Sequence, residues 1–337
     1  MKKLTNDELI RASETLRANH EWCIFTHQKA DGDALGSANA LYEAGIISGH
    51  SVKWYSPDGK LPEGYAYLPH FREHVRAESH AFDEAGVLYV FLDCANEVRS
   101  VKGFDPSRNI NAINIDHHED NSQFARVNCV DGRASSTCEL LYRILKAGGW
   151  TLTQTIAESL YTGLFTDSGG FSYSNTSPLT HRIAAELITL GAEPARMTDL
   201  ITQNKSIAGF HLWGKAMSRV RNFGEGETFA LTYLTLEDFA ETGADLTETE
   251  GLPALLMSLR GVMLAVTLTE YPGGKVRASF RSRGGSAVGA GVIARLLGGG
   301  GHERASGATL DGTLEECIGR VEALILSKYH ECLNPHQ

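Results

Sequence analysis

The sequence lacks the long apolar runs and the basic excess that mark two large classes of protein. No run approaches the roughly 20 apolar residues of a membrane-spanning helix, so we expect no membrane partner. Lys and Arg total 31 against 41 Asp and Glu, which gives a formal net charge of −10. Because affinity for long duplexes rises with the number of phosphates neutralised, this balance disfavours a protein that binds long duplex nucleic acid.

Several signature motifs are also missing. The six cysteines form no C-x-x-C pair, and the opening MKKLTNDELI is too polar for a signal peptide, so we expect reduced thiols and a cytoplasmic location. No G-x-G-x-x-G follows the first predicted strand, and neither a G-x-x-x-x-G-K-[ST] loop nor an RNA-recognition aromatic motif is present. These absences argue against a dinucleotide-binding fold, a P-loop NTPase and an RNA-recognition module.

The first part of the chain alternates predicted strands with predicted helices. The strand candidates are short and rich in Val, Ile and aromatic residues, and the helix candidates are amphipathic. This alternation predicts an α/β domain over 1–195 with a doubly wound, mainly parallel sheet. The predicted strands cover 22–27, 51–56, 87–93 and 111–116, and the predicted helices cover 33–45, 136–149, 153–165 and 178–191.

The remainder of the chain shows a different pattern of predicted elements. A mostly helical stretch over 196–225 is predicted to link the first domain to a smaller α/β domain over 226–332. In that second domain the Pro-Gly-Gly sequence at 272–274 predicts a hairpin turn, and a last helix begins near Thr313.

Aspartate and histidine are concentrated in four segments of the first domain. Three of these segments come directly after predicted parallel strands, at the edge where open α/β sheets bind ligands. Carboxylates gathered there repel one another unless cations lie between them, and four aspartates would balance two divalent ions. The four segments contain His27 with Asp31 and Asp33, then Asp93, then Asp116-His117-His118, and finally Asp167.

This mixture of carboxylate oxygen and imidazole nitrogen suits Mn²⁺, with Mg²⁺, Co²⁺ or Zn²⁺ as substitutes. Two such ions about 4 Å apart can activate a water and stabilise the leaving oxygen of a phosphoester. Each residue alone has a plainer explanation, since a lone aspartate at a strand end is usually a turn or helix cap. The four segments together favour a metal site.

A run of glycines in the second domain has two interpretations. Consecutive glycines such as Gly298 to Gly301 usually mark a flexible turn. Glycine also lets backbone amides approach a phosphate closely, and Arg281 could donate two hydrogen bonds to phosphate oxygens. The residues alone leave both interpretations open.

Taken together, these motifs resemble the DHH phosphoesterase superfamily with its C-terminal DHH-associated substrate-binding domain. In the first domain the resemblance lies in H-x-x-x-D-G-D-A-L-G-S, the strand-terminal Asp93, the Asp-His-His triplet and T-D-S-G-G-F-x-x-x-N-T. In the second domain it lies in Arg281-Ser282 and GGGGHERASGA. The subgroup resembled is the bacterial nano-RNase and phosphoadenosine-phosphate phosphatase type, over nearly the whole chain.

The resemblance implies a role for each matched residue of the first domain. His118 would contact the scissile phosphate or the leaving group, and Asp116 would orient the histidines. Asp93 would bridge two Mn²⁺ ions. One ion would be held by His27, Asp31 and Asp93, and the other by Asp33, Asp93, His117 and Asp167.

The resemblance also implies a set of substrate-binding residues. Ser136 belongs to this set, although a helix N-cap explains it equally well. Two departures from the family pattern, Ser306 in place of a common Ala and Ala-Val-Gly-Ala at 287–290, affect substrate positioning rather than the chemistry. The implied substrate-binding residues are Arg281, Gly299, Gly300, Gly301, His302 and Ser136.

The function that follows is that of a two-domain Mn²⁺-dependent phosphoesterase. Its substrate would be a very short oligoribonucleotide or adenosine 3′,5′-bisphosphate, held by the second domain while water attacks a phosphate. The alternatives are an enzyme for cyclic dinucleotides or their linear products, a manganese pyrophosphatase, a single-strand exonuclease and a non-catalytic nucleotide sensor. The acidic charge argues against the exonuclease, the GGGGH segment against the pyrophosphatase, and the intact ligand set against the sensor. The oligomeric state is not decided, and a homodimer stays open.

Overall fold

The computed structural model describes residues 4–202, 206–224, 229–301 and 303–333. The chain divides into two compact units, Met1–Asn204 and Lys205–Gln337. Among the described residues, no helix is both long enough and apolar enough to cross a membrane.

The first unit is built on a six-stranded parallel sheet. Its strands are β1 (Glu21–Phe25), β2 (Ser51–Ser56), β3 (His74–Arg76), β4 (Val87–Leu92), β5 (Ala112–Asp116) and β6 (Val127–Val130). The order across the sheet is β3-β2-β1-β4-β5-β6, and every neighbouring pair is parallel. Because the order reverses between β1 and β4, their carboxyl ends flank the crevice that such sheets use for ligands. The predicted parallel α/β domain is confirmed.

Both faces of this sheet are buried. Trp22 and Ile24 of β1 point into a core shared with the helices, whereas Cys23 and Phe25 point into an aromatic cluster on the other face. Burial on both faces explains why the central strands β1, β4 and β5 are mostly apolar. The helices of this unit are α1 (Asn6–Arg17), α2 (Gly32–Ile47), α3 (Thr137–Ala147), α4 (Gln154–Asp167), α5 (Pro178–Thr189) and α6 (Pro194–Thr202).

Small residues allow α2 and α4 to pack unusually close together. A Cβ atom at Gly36 would lie 2.4 Å from the Ser159 carbonyl oxygen, and one at Gly163 would lie 2.5 Å from a carboxylate oxygen of Asp33. Only hydrogen fits at these two positions. The close contact fixes the start of α2, which carries Asp33, against the end of α4, which carries Asp167.

We expect Gly36→Ala to lower the free energy of unfolding by about 1–3 kcal/mol, because the added methyl group must push apart two backbones. The measurement is denaturant unfolding of the purified variant. Gly319→Ala is the matched control, since this helical glycine has open space around its Cβ position and alanine favours the helix. Equal stability of Gly36→Ala and the unmodified protein would contradict the close-packing argument.

The second unit is a smaller mixed α/β unit. Its strands are β7 (Arg221–Phe223), β8 (Phe229–Leu234), β9 (Leu264–Tyr271), β10 (Lys275–Ser282), β11 (Gly300–Gly301) and β12 (Ala305–Asp311). They lie in the order β11-β12-β10-β9-β8-β7, and all neighbours are antiparallel except the parallel pair β8 and β9. Its helices are α7 (Ile207–Ser218), α8 (Leu236–Thr242), α9 (Leu252–Leu256), α10 (Ala290–Leu296) and α11 (Leu314–Leu333).

The predicted hairpin and the predicted last helix are both present in this unit. The turn at 272–274 joins β9 to β10, and Gly273 and Gly274 adopt φ values of +82° and +71° that favour glycine. The predicted linker is divided between the units, because α6 belongs to the first and α7 to the second. The boundaries 1–195, 196–225 and 226–332 stay predictions.

Candidate metal centre

The carboxyl ends of three neighbouring strands bring the acidic and histidine segments together. His27 follows β1, Asp93 follows β4, and Asp116 is the last residue of β5. Asp33 lies in the first turn of α2, and Asp167 is the last residue of α4. Three groups of these residues have ligand atoms that all lie within 4.8 Å of one another.

The first group contains His27, Asp31 and Asp93. The Nε2 atom of His27 lies 3.4 Å from Asp93 Oδ2 and 3.9 Å from Asp31 Oδ1. Its Nδ1 atom lies 2.8 Å from the Gln28 carbonyl oxygen. A hydrogen bond donated there would fix the tautomer in which Nε2 carries the lone pair for a cation.

The second group contains Asp33, His117 and Asp167, and it shares the neighbourhood of Asp93. The Nε2 atom of His117 lies 3.2 Å from Asp167 Oδ2, 3.9 Å from Asp33 Oδ2 and 3.6 Å from Asp93 Oδ1. Asp93 thus has one oxygen next to His27 and the other next to His117. This is the arrangement expected of a carboxylate that bridges two cations.

Two backbone features hold these carboxylates in place. Asp93 has a φ of +59°, in the left-handed region that few residues other than glycine, asparagine and aspartate adopt. Asp33 is fully buried and accepts hydrogen bonds from the backbone N–H groups of Thr137 and Cys138, at 2.6 and 2.9 Å. The positive end of α3 therefore stabilises one of the acidic groups before any cation binds.

The third group joins Asp93 and His117 to His118. The Nδ1 atom of His118 lies 2.7 Å from Asp116 Oδ1, and the other Asp116 oxygen accepts a hydrogen bond of 2.6 Å from the Asn121 side chain. Asp116 is completely buried, so its two partners fix the carboxylate. The carboxylate in turn holds the His118 ring.

The pKa values of these acids shift in opposite directions. Burial and mutual repulsion raise the pKa of Asp33 and Asp167, whereas the histidines lower that of Asp93. Burial and the charge of Asp93 raise the pKa of Asp33 to about 7, and burial together with the charge of Asp33 raises the pKa of Asp167 well above its usual range. For Asp93, burial is outweighed by the hydrogen bond with His27 and the charge of His118, which hold its pKa well below the usual range.

The histidines respond to the same charges. Burial disfavours the charged ring, but the hydrogen bond with Asp93 and the charge of Asp31 raise the pKa of His27 to about 9. Carboxylate neighbours also raise the pKa of His117 and His118 against the effect of burial. In the absence of a cation, retained protons thus offset part of the negative charge of this buried cluster.

These observations test whether the residues fit divalent cations. The donor set consists of carboxylate oxygens and imidazole nitrogens, which suits Mn²⁺ and Mg²⁺ better than metals that prefer thiolate ligands. Cys94 and Cys138 lie next to the site, and burial raises the pKa of both thiols well above the ordinary value. Among the described residues, neither thiol belongs to a group of ligand atoms within 4.8 Å of one another. The residues fit a pair of divalent ions.

The predicted substrate-binding residues of the second unit lie around one end of β10 and β12. Arg281 is half-buried on β10, where its Nη1 atom donates a hydrogen bond of 3.0 Å to the Phe280 carbonyl oxygen. Gly300 and Gly301 form the edge strand β11, paired with Gly307 and Ser306. His302 lies outside the described residues.

The glycine run forms a strand pressed against its neighbour rather than a loose turn. A Cβ atom at Gly299 would lie 2.2 Å from the Gly307 carbonyl oxygen, and Gly301 has a φ of +127°. By contrast, Gly300 has open space at its Cβ position. The packing against β12 thus requires glycine at 299 and 301 but not at 300, and substrate contact by these glycines stays a prediction.

Ser136 has a clear structural role. It is fully buried, and its hydroxyl caps α3 by accepting a hydrogen bond of 3.0 Å from the Glu139 N–H group. The cap is therefore the role that the geometry shows, and a substrate contact by Ser136 stays a prediction.

Three residues support the centre without being among the predicted site residues. Thr137 donates a hydrogen bond of 3.1 Å to Asp93 Oδ1, Asn121 binds Asp116, and Asn175 binds the backbone of Asp167 at 3.0 Å. Asn175 belongs to the T-D-S-G-G-F-x-x-x-N-T motif, which therefore contained a signal for it, and Thr137 directly follows the predicted residue Ser136. Nothing in the sequence singles out Asn121.

The chain is similar to known proteins over most of its length. The model of the DHH family, N-terminal domain, matches residues 21–164. A bifunctional oligoribonuclease and PAP phosphatase of Thermus thermophilus is 34% identical over 303 residues, which cover 88% of this chain and 87% of that protein. The protein of the same name from Bacillus subtilis is 30% identical over 310 residues, which cover 90% of this chain and 92% of that protein.

A solved structure shows the same fold along the whole chain. The crystal structure of an exopolyphosphatase-related protein from Bacteroides fragilis superposes with a TM-score of 0.87 over 98% of both chains, at 24% sequence identity. From the full-length relatives and the matched family model we conclude that this chain is a hydrolase that belongs to the DHH family.

Proposed function

We propose that this hydrolase is a phosphoesterase that uses two divalent ions, Mn²⁺ in preference to Mg²⁺ or Co²⁺, to hydrolyse very short oligoribonucleotides and adenosine 3′,5′-bisphosphate. The observation that carries the proposal is the position of Asp93, whose two carboxylate oxygens lie 3.4 Å from His27 and 3.6 Å from His117. The printed names of the relatives, which are oligoribonucleases and PAP phosphatases, support the substrate class.

The residues divide into two ligand sets. His27, Asp31 and Asp93 would hold one ion, and Asp33, Asp93, His117 and Asp167 would hold the other. When bound, such a pair of ions lowers the pKa of a water molecule and offsets the negative charge that develops on a phosphate during attack. Asp31 is the most exposed of the six proposed ligand residues, with half of its side chain accessible. Solvent therefore reaches this carboxylate more readily than the other five ligands.

The remaining residues of the centre act on the substrate itself. His118 is held by Asp116 in one orientation, in which the ring presents a hydrogen-bond donor to a phosphate oxygen or to the leaving group. Burial alone would raise the pKa of Asp116, but the hydrogen bond with His118 and the charge of that ring hold this pKa below its usual value, so the carboxylate stays ionised beside the ring. The Asn121 side chain donates a second hydrogen bond to the same carboxylate. The phosphates that the metal centre does not hold would be bound by Arg281 in the second unit.

The proposal is tested by the rate of hydrolysis of a substrate panel with Mn²⁺ and with a chelator. The panel contains ribonucleotides of two to ten residues, adenosine 3′,5′-bisphosphate, cyclic dinucleotides, pyrophosphate and a long single strand. We expect kcat/KM to be highest for two to about five nucleotides and to depend weakly on salt, because few basic residues contact phosphate. A rate that rises steadily with length, with a steep salt dependence, would favour an exonuclease. Preferred turnover of cyclic dinucleotides or pyrophosphate would reassign the substrate.

We expect Arg281→Ala to raise KM for every substrate on the panel about tenfold, because it removes a cation that binds a phosphate in the ground state. Bound Mn²⁺, measured by elemental analysis, should not change. Arg320→Ala, which removes an exposed arginine of α11, is the matched control and should leave both quantities unchanged. Loss of Mn²⁺ from Arg281→Ala would show that the two units do not divide the work in this way.

A further inference from the structure

The face of β10 that points away from the core under α10 and α11 carries two half-buried arginines among small residues. Strand alternation places Arg277, Ser279 and Arg281 of β10 on this face, because Val276, Ala278 and Phe280 point into the core. The cross-strand neighbours of these three residues are alanine, glycine or threonine on both sides, namely Thr269, Thr267 and Ala265 on β9 and Thr309, Gly307 and Ala305 on β12.

Neither arginine has an acidic partner on the described part of the second unit. The neighbouring cation of the same strand and face, Lys275, forms an ion pair with Asp311. Arg277 instead donates a hydrogen bond of 3.4 Å from Nη1 to the Thr309 hydroxyl. Two cations thus remain without a counter-charge on one surface.

Buried polar atoms on the same face also lack partners. The Nε atom of Arg281 and the hydroxyl of Thr267 are buried and make no hydrogen bond among the described residues. Thr267 is only 2% exposed. Buried donors without acceptors are costly, and a ligand rich in oxygen atoms would supply acceptors.

The Arg277 guanidinium lies over β12. Its Nη1 atom donates to the Thr309 hydroxyl, and its Nη2 atom would lie 2.6 Å from a Cβ atom at Gly307, so this glycine lets the group lie directly on the strand. The two arginines are four residues apart on β10, which separates their Cα atoms by about 13 Å.

We propose that Arg277 and Arg281 form a phosphate platform in which each arginine binds a different phosphate group of the substrate. This proposal rests on the proposed function and deepens it, because it names Arg277 as the residue through which KM depends on substrate length. A substrate with two phosphates would use Arg281, and a substrate with three or more phosphates would also use Arg277.

The test compares KM for four substrates in three enzymes. The substrates are adenosine 3′,5′-bisphosphate and the 5′-phosphorylated di-, tri- and tetraribonucleotides. The enzymes are the unmodified protein, Arg277→Gln and the matched control Lys275→Gln, which loses the same charge from the same strand and face. Glutamine keeps the length that packs over Gly307, and thermal unfolding verifies that each variant is folded.

We expect Arg277→Gln to raise KM about tenfold for the tri- and tetranucleotide and less than twofold for the two-phosphate substrates, with kcat unchanged. Lys275→Gln should change KM less than twofold throughout. An equal rise for all four substrates, or no rise for any, would overturn the proposal. Arg277→Lys, which keeps the charge but not the fork of donors, should raise KM for the longer substrates by a smaller factor.

Failure of the proposed function can be distinguished from failure of the platform. If the unmodified protein hydrolyses none of the four substrates, the proposed function fails, and the platform is tested by equilibrium binding of the fluorescein-labelled trinucleotide. Arg277→Gln should then weaken binding and reduce the slope of log K against log salt by about 0.7, the contribution of one phosphate contact. An unchanged slope and affinity would overturn the platform.

Discussion

Replacing Asp93 with alanine should reduce kcat/KM by at least about 10³-fold, equivalent to roughly 4 kcal/mol of transition-state stabilisation. Asp93 is the residue whose two oxygens lie next to both histidine ligands, so its loss affects both cation sites together. Removal of any other single acid would leave one site with its ligands intact. The measurement is steady-state hydrolysis of a dinucleotide with saturating Mn²⁺.

Two further variants separate chemistry from folding in this experiment. Asp93→Asn keeps an acceptor for the Thr137 hydroxyl and suits the left-handed backbone of residue 93, so it should fold well while losing the charge. Glu119→Ala removes an exposed acid from the segment after the histidine pair and should retain full activity. Near-normal turnover by folded Asp93→Asn would mean that the carboxylate does not bridge two ions.

The second large effect is expected at His118. The substitution His118→Ala should reduce kcat by about 10²- to 10³-fold. A hydrogen-bond donor positioned at the phosphate or the leaving group raises the rate by about this factor, through proton transfer and charge stabilisation. KM and bound Mn²⁺ should change little, since neither of the two proposed ligand sets contains His118. His211→Ala, at an exposed position of α7, is the control and should be fully active.

A double-mutant cycle separates the role of Asp116 from that of His118. Asp116→Asn should reduce kcat about 10- to 100-fold by releasing the ring from its hydrogen bond of 2.7 Å. In the His118→Ala background the same change should cost less than twofold, because nothing is left to orient. Fully additive effects would show that Asp116 acts independently of His118.

Much of the metal centre follows from the sequence because of where strands end. In a parallel sheet the carboxyl ends of β1, β4 and β5 meet at one edge, so polar residues placed after apolar strands must lie together. The predicted strands end within two residues of the observed ones, which is sufficient to place His27, Asp93 and Asp116. Asp167 ends a helix rather than a strand, so strand ends do not place it, and its assignment comes from the resemblance.

Other features depend on tertiary contacts that no local pattern encodes. β3 has three residues and β6 has four, too few to show a period, and both form by pairing with a neighbouring strand. Asp33 accepts a hydrogen bond from the N-terminus of α3, about a hundred positions away in the sequence. Likewise, the partial exposure of Arg277 depends on which parts of the second sheet the helices cover, and that becomes visible only in the folded unit.

The account is tested most directly by adding Mn²⁺ back to the metal-depleted protein while bound metal and dinucleotide hydrolysis are measured together. We expect two ions per chain at saturation, no hydrolysis in the depleted protein, and activity that follows occupancy of the second site. Asp93→Asn should then bind fewer than two ions under the same conditions. Full activity in the depleted protein, or saturation at one ion with full activity, would contradict a centre that works through two ions bridged by Asp93.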